Sequence, residues 1–439
     1  MNLNQEIKTY NIYFDSKIAD SLRALAIISI IFLWPEKLYI GNVSISLNYL
    51  LFLVVFLLFK SYLQDIILFG ILSLLLYLLL IMQIFSGIYF NTVLKSIIYI
   101  PIFSFLIVFC HSFIVKIFKN NDEIKIIKFL KLFLTLQLLL MIAQLFLWKM
   151  GYRITWHIAP SAYIHDGLPR PCGFFFEPSN LGFSLSPFLY ILFVDFNKFV
   201  KWFGYSSIFI IATIFFLSFS TTFLAAVALS LIYKGINLTN KLNNKKILKK
   251  FTIIFIGIIS IFFLAQSVRP IAIRLNQVIL RFEGKERISG NINMSSAVFL
   301  KGFEMAKKAL GSYPLGAGID NLQFLNKFTR IAKLGKNNMG GGYFKENKDN
   351  GGSVLWKIIG EFGYFGLFVA LTAFLFSIYR ILKYKKNKHD IIIDAFIFAL
   401  IVSFLRSPGY TDGIDIIGLS ILFWFFLKNI QKYVLRIKT

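Results

Sequence analysis

From Leu22 to Val434 the chain alternates long apolar runs with short polar stretches. A run of about 20 residues matches the ~30 Å hydrocarbon core of a bilayer when it is helical. Twelve such spans are expected, at about 19–35, 43–60, 64–86, 94–117, 128–149, 180–197, 202–218, 221–236, 250–267, 354–379, 391–406 and 413–430. Few Gly or Pro residues interrupt the runs, and no period-2 alternation is sustained. That pattern favours helices, which satisfy their own backbone in lipid, over a membrane barrel. The first run, Leu22–Trp34, has the length of a signal-peptide core. No small-residue cleavage site follows, and Pro35-Glu36-Lys37 leads to another span, so it reads as a retained helix.

Lysine clusters between the runs give an orientation. Lys116, Lys119, Lys125, Lys128 and Lys131 lie between spans four and five, and Lys234, Lys241, Lys245, Lys246, Lys249 and Lys250 between spans eight and nine. Lys383, Lys385, Lys386 and Lys388 follow span ten, and Lys428, Lys432, Arg436 and Lys438 end the chain. An even number of spans separates each cluster from the next. The positive-inside rule then puts all four, with both termini, in the cytoplasm. The expected fold class is an all-α integral membrane protein of about 12 transmembrane helices, with a large, partly helical periplasmic loop between helices 9 and 10. Its parts are helices 1–5 (1–150), a periplasmic loop (151–179), helices 6–9 (180–267), the large loop (268–353), and helices 10–12 with a cytoplasmic tail (354–439). Within the large loop, Ser296–Leu310 carries apolar residues at helical spacing, with Ser295 or Ser296 as cap. Glycines at 315–318 and 340–342 mark turns.

Composition agrees: 57% of residues are hydrophobic and only 15% charged, against about a quarter charged in soluble proteins. The net charge of +26 would suggest nucleic acid on a soluble chain, but here it sits in inter-span loops. Two isolated cysteines, Cys110 and Cys172, make neither a disulfide framework nor a metal site. The four histidines, His111, His157, His165 and His389, are isolated, and no Asp-x-Asp pair stands out, so no metal is expected.

Arginine and lysine are divided differently. Eight arginines fall on expected outer segments: Arg153, Arg170, Arg269, Arg274, Arg281, Arg287, Arg330 and Arg406. Arg23, Arg380 and Arg436 fall inside. Topology alone favours the reverse. Arg presents a planar donor fork suited to bidentate phosphate contact and stays charged, so the outer set points to an anionic ligand such as a membrane-anchored pyrophosphate. The other reading is contact with lipid head groups, or salt bridges to Glu283, Glu286 and Glu304.

Arg170-Pro-Cys-Gly-Phe-Phe-Phe-Glu177-Pro-Ser-Asn180 leads into span six. Glu177 reads as a general base or a ligand for sugar hydroxyls; equally it reads as a capping carboxylate or a partner of Arg170. Through Arg170, Gly173, Glu177, Pro178 and Ser179 the segment resembles the R-x-x-G-x-x-x-E-P-S pattern of Wzy-type O-antigen or capsular repeat-unit polymerases. Further resemblances follow in order: Ser218-Phe-Ser220-Thr-Thr222, Pro314-Leu-Gly-Ala-Gly318 with Asp320 and Asn321, Glu361-Phe-Gly-Tyr-Phe-Gly366, and Phe404-Leu-Arg406-Ser-Pro-Gly409-Tyr410. Together they cover residues 170 to 410; residues 1–150 resemble the family only as hydrophobic spans.

The resemblance implies a lipid-linked glycosyltransferase of the bacterial inner membrane, working without a metal or other cofactor. It would move a growing glycan from undecaprenyl pyrophosphate onto a newly flipped, lipid-linked repeat unit at the periplasmic face, in lipopolysaccharide or other surface polysaccharide biosynthesis. Arg170, Arg287 and Arg406 with Glu177 are the catalytic candidates. Arg269, Arg274, Arg281, Gly316, Gly318 and Tyr410 are the pyrophosphate or glycan contacts, and Tyr410 equally reads as an interfacial anchor. A separate chain-length regulator and flippase are possible partners, besides membrane lipids; nucleic acid is not expected. O-antigen ligases share the outer loop and arginines but carry a His before the helix matching span ten, where this chain has Asp349-Asn-Gly-Gly-Ser353. A flippase for lipid-linked sugars fits twelve helices, but an outer loop of ~85 residues argues for chemistry outside the membrane.

Overall fold

The computed structural model describes residues 37–40, 43–46, 63–88, 90–120, 123–151, 164–165, 168–169, 171–173, 175, 178–218, 220–239, 294–329, 351–382, 388–405 and 413–437. The expected spans 19–35 and 250–267, most of 43–60, and residues 268–293 and 330–350 of the large loop lie outside them.

Among the described residues the apolar runs are helices. The first three long ones are α1 (Leu63–Phe85), α2 (Phe90–Asn120) and α3 (Glu123–Lys149). Among the described residues four stretches are long and apolar enough to cross a membrane: Asp65–Phe85, Val93–His111, Leu130–Lys149 and Val354–Arg380. A bent helix pair would bring the number to five. α1 shows what these helices are built for. Ile67, Ile71, Leu74, Leu75 and Leu78 are each about half exposed along it, an apolar surface suited to hydrocarbon and costly in water.

Among the described residues there are two short hairpins. β1 (Lys37–Ile40) pairs antiparallel with β2 (Val43–Ser46), so the first four residues of the expected span 43–60 are strand. The alternation Val-Ser-Ile-Ser and the intervening Gly-Asn dipeptide are hairpin signals that the apolar run beyond them masks. β3 (Ile164–His165) pairs with β4 (Leu168–Pro169) just before the Arg170 segment.

Expected span six is two helices, α4 (Pro178–Ser184) and α5 (Ser186–Val194). Pro187 causes the break. It has no N–H to give to the Phe183 carbonyl, and the Ser186 hydroxyl donates to that carbonyl instead. Next comes α6 (Phe196–Phe203), capped by Asp195, whose carboxylate accepts from the Lys198 amide at 3.2 Å. Gly204 ends it at φ +81, and α7 (Tyr205–Ser218) leaves at 99°. Expected span seven, 202–218, is thus a helix from 205 preceded by a sharp turn.

The remaining elements are α8 (Thr221–Thr239), α9 (Met294–Ser312), α10 (Gln323–Asn326), α11 (Val354–Leu382), α12 (Lys388–Leu405) and α13 (Gly413–Ile437). α9 begins before the expected Ser296, so Ser295 lies inside the helix rather than capping it.

α1 packs on α2, α2 on α13, α13 on α12, and α12 on both α11 and α5; α8 covers α4 and α5, and α9 lies on α11. At the centre Tyr190, Tyr233 and Phe398 interlock, with ring centroids 5.1–6.0 Å apart. Gly418 lets α13 approach α12: a Cβ there would lie 2.8 Å from that of Leu400. Close approach through small residues is how helices associate when lipid supplies no hydrophobic drive.

Candidate functional site

The richest polar constellation among the described residues lies where α1 ends, α2 begins and α9 meets α11. It starts from a broken helix. At Gly363 the backbone of α11 takes φ 59 and ψ −132, a conformation open to glycine and strained for other residues. The amide of Tyr364, whose helical acceptor would be the Gly360 carbonyl, donates to Pro314 at 2.9 Å. The Gly360 carbonyl accepts from Ala317 (2.9 Å), and the Glu361 carbonyl from Gly318 (3.0 Å). Gln83, at the end of α1, adds its side-chain amide, which donates to the carbonyls of Leu315 (2.6 Å) and Glu361 (2.9 Å).

Pro314–Gly318 therefore lies along the break as an extended partner. Gly316 (φ +85) and Gly318 (φ +93) have the positive φ this path needs, and a Cβ on Gly316 would run into the Glu361 backbone. Two of the segments that carry the family resemblance, distant in sequence, thus form one interlocked structure.

Charge gathers beside it. Asp320 follows at φ 55, the one non-glycine with positive φ among the described residues. Its carboxylate is 2.7 Å from the ammonium of Lys95, on the second turn of α2, and 3.4 Å from that of Lys357 on α11. Lys357 is also 3.8 Å from the Glu361 carboxylate. Glu361 and Asn321 are fully buried and Lys357 nearly so, while the side chains of Lys95 and Asp320 keep 20% and 16% exposure. Buried charges survive only when paired, and their desolvation offsets much of the attraction. The cluster therefore fixes geometry more than it adds stability. Ser96 donates to the Ile319 carbonyl at 2.6 Å, and Asn321 to that of Ala317 at 2.8 Å, fastening both sides of Asp320.

A second clamp holds the turn after Arg170. The Gln144 side-chain oxygen Oε1 accepts from the amides of Cys172 and Gly173, both at 3.0 Å, and its Nε2 donates to the Gly173 carbonyl at 2.7 Å. Gln137, two turns earlier on α3, donates to the Cys172 carbonyl at 2.9 Å. Gly173 (φ +63) leaves no space for a Cβ against Gln137. Just beyond, Gly182 of α4 sits against Ser220 and the Phe223 amide at the start of α8. The start of α4 and the start of α8 are therefore neighbours.

Of the residues the sequence singles out, Gly316 and Gly318 are in the interlocked structure. Arg170, Glu177, Arg269, Arg274, Arg281, Arg287, Arg406 and Tyr410 lie outside the described residues. Sequence reasoning gave no role to Gln83, Lys95 or Lys357, and named Glu361 only as the first residue of a motif. The signal was present: polar and ionisable residues in or beside otherwise apolar spans mark functional positions. Among the described residues no group of three or more His, Cys, Asp or Glu could hold a metal.

No protein-family model matches this chain, and no curated protein matches it in sequence.

Proposed function

We propose that this protein is a surface-polysaccharide polymerase of the Wzy type: a glycosyltransferase that moves a growing glycan from undecaprenyl pyrophosphate onto a lipid-linked repeat unit. In this reading the chain crosses the inner membrane twelve times with both termini in the cytoplasm. The Gln83 end of the bundle, with residues 151–179 and 268–353, faces the periplasm. The observation that carries it is the docking of Pro314–Gly318 into the break of Glu361–Gly366. These two segments belong to the motif set on which the resemblance rests, and their contact supports treating that set as one working unit.

The chemistry suits the residues. The acceptor hydroxyl oxygen attacks the anomeric carbon of the donor, the bond from that carbon to pyrophosphate breaks, and the hydroxyl proton passes to Glu177. Guanidinium groups of Arg170, Arg287 and Arg406 hold the leaving pyrophosphate and stabilise its growing charge, while Arg269, Arg274 and Arg281 complete the anion-binding set. The decisive experiment uses purified protein with lipid-linked repeat units in detergent. Lengthening of the glycan while it stays on its carrier supports the proposal. Transfer to lipid A–core alone identifies a ligase, and absence of any glycosyl transfer with active translocation in vesicles identifies a flippase; either outcome overturns it.

A further inference from the structure

The charge cluster around Asp320 has a buried floor and an accessible rim. Glu361 and Lys357 form the floor, and the partly exposed side chains of Asp320 and Lys95 form the rim. A carboxylate has about four acceptor positions. Lys95 and Lys357 occupy one on each oxygen of Asp320, which leaves capacity on both.

The charge balance selects what this capacity suits. An incoming anion meets the carboxylate itself, and an incoming cation meets two ammonium groups. Neutral O–H donors meet neither penalty, and their hydrogen bonds to a carboxylate are of the stronger, charge-assisted kind. Two oxygens of one rigid carboxylate suit two adjacent hydroxyls, as on a pyranose ring. The carboxylate is also held still, by the flanking bonds of Ile319 and Asn321 and by its strained backbone, and such strain collects at functional sites.

We infer that Asp320, oriented by Lys95 and Lys357, is a saccharide subsite whose carboxylate accepts hydrogen bonds from adjacent hydroxyls of a repeat-unit sugar. The inference deepens the proposed polymerase reading by naming where the acceptor glycan is held, at a residue apart from Glu177 and the arginine set.

The test measures binding and turnover separately on the full-length protein. The probe is the carrier-free oligosaccharide repeat unit, followed by saturation-transfer NMR. Asp320→Asn suits the site because Asn tolerates positive φ. It is expected to weaken repeat-unit binding about tenfold, the loss of one hydrogen bond to a charged group, and to raise the acceptor KM by a similar factor with kcat within about twofold. Lys95→Gln, made on a different helix, is expected to move the same two quantities in the same direction. Unchanged repeat-unit binding in both variants overturns the subsite, as does a fall in kcat with KM unmoved. The two readings fail separately. If the wild-type protein binds the repeat unit through Asp320 but never elongates, the subsite stands and the polymerase does not. If it elongates and Asp320→Asn binds normally, the reverse holds.

Discussion

The amide of Tyr364 donates to the carbonyl of Pro314 at 2.9 Å, a bond between a membrane-length helix and a loop made far earlier in the chain. It forms because Gly363 turns α11 out of helical geometry. A Cβ on Gly363 would overlap the same Pro314 carbonyl, so two constraints, backbone conformation and space, converge on one glycine.

Gly363→Ala is therefore expected to destabilise the protein by about 3 kcal/mol or more, through strain at positive φ and loss of the docked loop. Gly311→Ala, in a helix with open space around the site, is expected to be neutral or stabilising by about 0.5–1 kcal/mol. Thermal unfolding of the two variants in detergent compares them directly; equal midpoints would remove the interlock from the account.

Gln144→Leu removes three hydrogen bonds to the Cys172–Gly173 backbone at a buried site. Orphaned buried backbone groups cost about 1–3 kcal/mol each. The expected result is a loss of about 3 kcal/mol in stability. If the protein is the polymerase proposed above, the polymer in a complemented deletion strain should also shorten, because the Cys172–Gly173 turn loses its anchor. A gel of surface polysaccharide beside a denaturation curve reads both.

Arg380 and Asp394 form a 2.8 Å pair at the opposite end of α11, and the guanidinium lies 4.9 Å over the Phe425 ring. Arg380→Ala leaves a buried carboxylate without this donor and is expected to cost about 3–5 kcal/mol. The double replacement Arg380→Met with Asp394→Leu is expected to recover most of that loss. A double variant no more stable than the single one would show that the pair is not what matters there.

Replacing Arg170, Arg287 or Arg406 by Lys keeps the charge and removes the donor fork. Each is expected to lower chain elongation while the protein still reaches the membrane. Full-length polymer from a strain carrying all three replacements would end the arginine-based mechanism.

The helices were legible from the apolar runs because length and hydropathy decide them locally. α1, α2, α3, α8, α12 and α13 all begin or end near their expected limits. The breaks were less so. Pro187 and Gly204 sit within or beside strongly apolar sequence, and apolarity outweighed them. The break at Gly363 was invisible for another reason: glycine is ordinary in membrane helices, and the partner that takes up the freed Tyr364 amide, the Pro314 carbonyl, comes from a distant segment. The cluster was legible only in pieces. Gly316, Gly318 and Asp320 could be read as a motif, but Lys95 and Lys357 join Asp320 through tertiary packing, which no spacing reveals.

The helix break also bears on how the chain is built during synthesis. Backbone groups that leave a helix at membrane depth need other partners, since lipid offers none. Here the partners for Gly360, Glu361 and Tyr364 come from residues 314–318, which leave the ribosome first. The receptor strip is thus already made when its helix arrives, and correct insertion of that helix becomes a checkpoint on the segment translated before it.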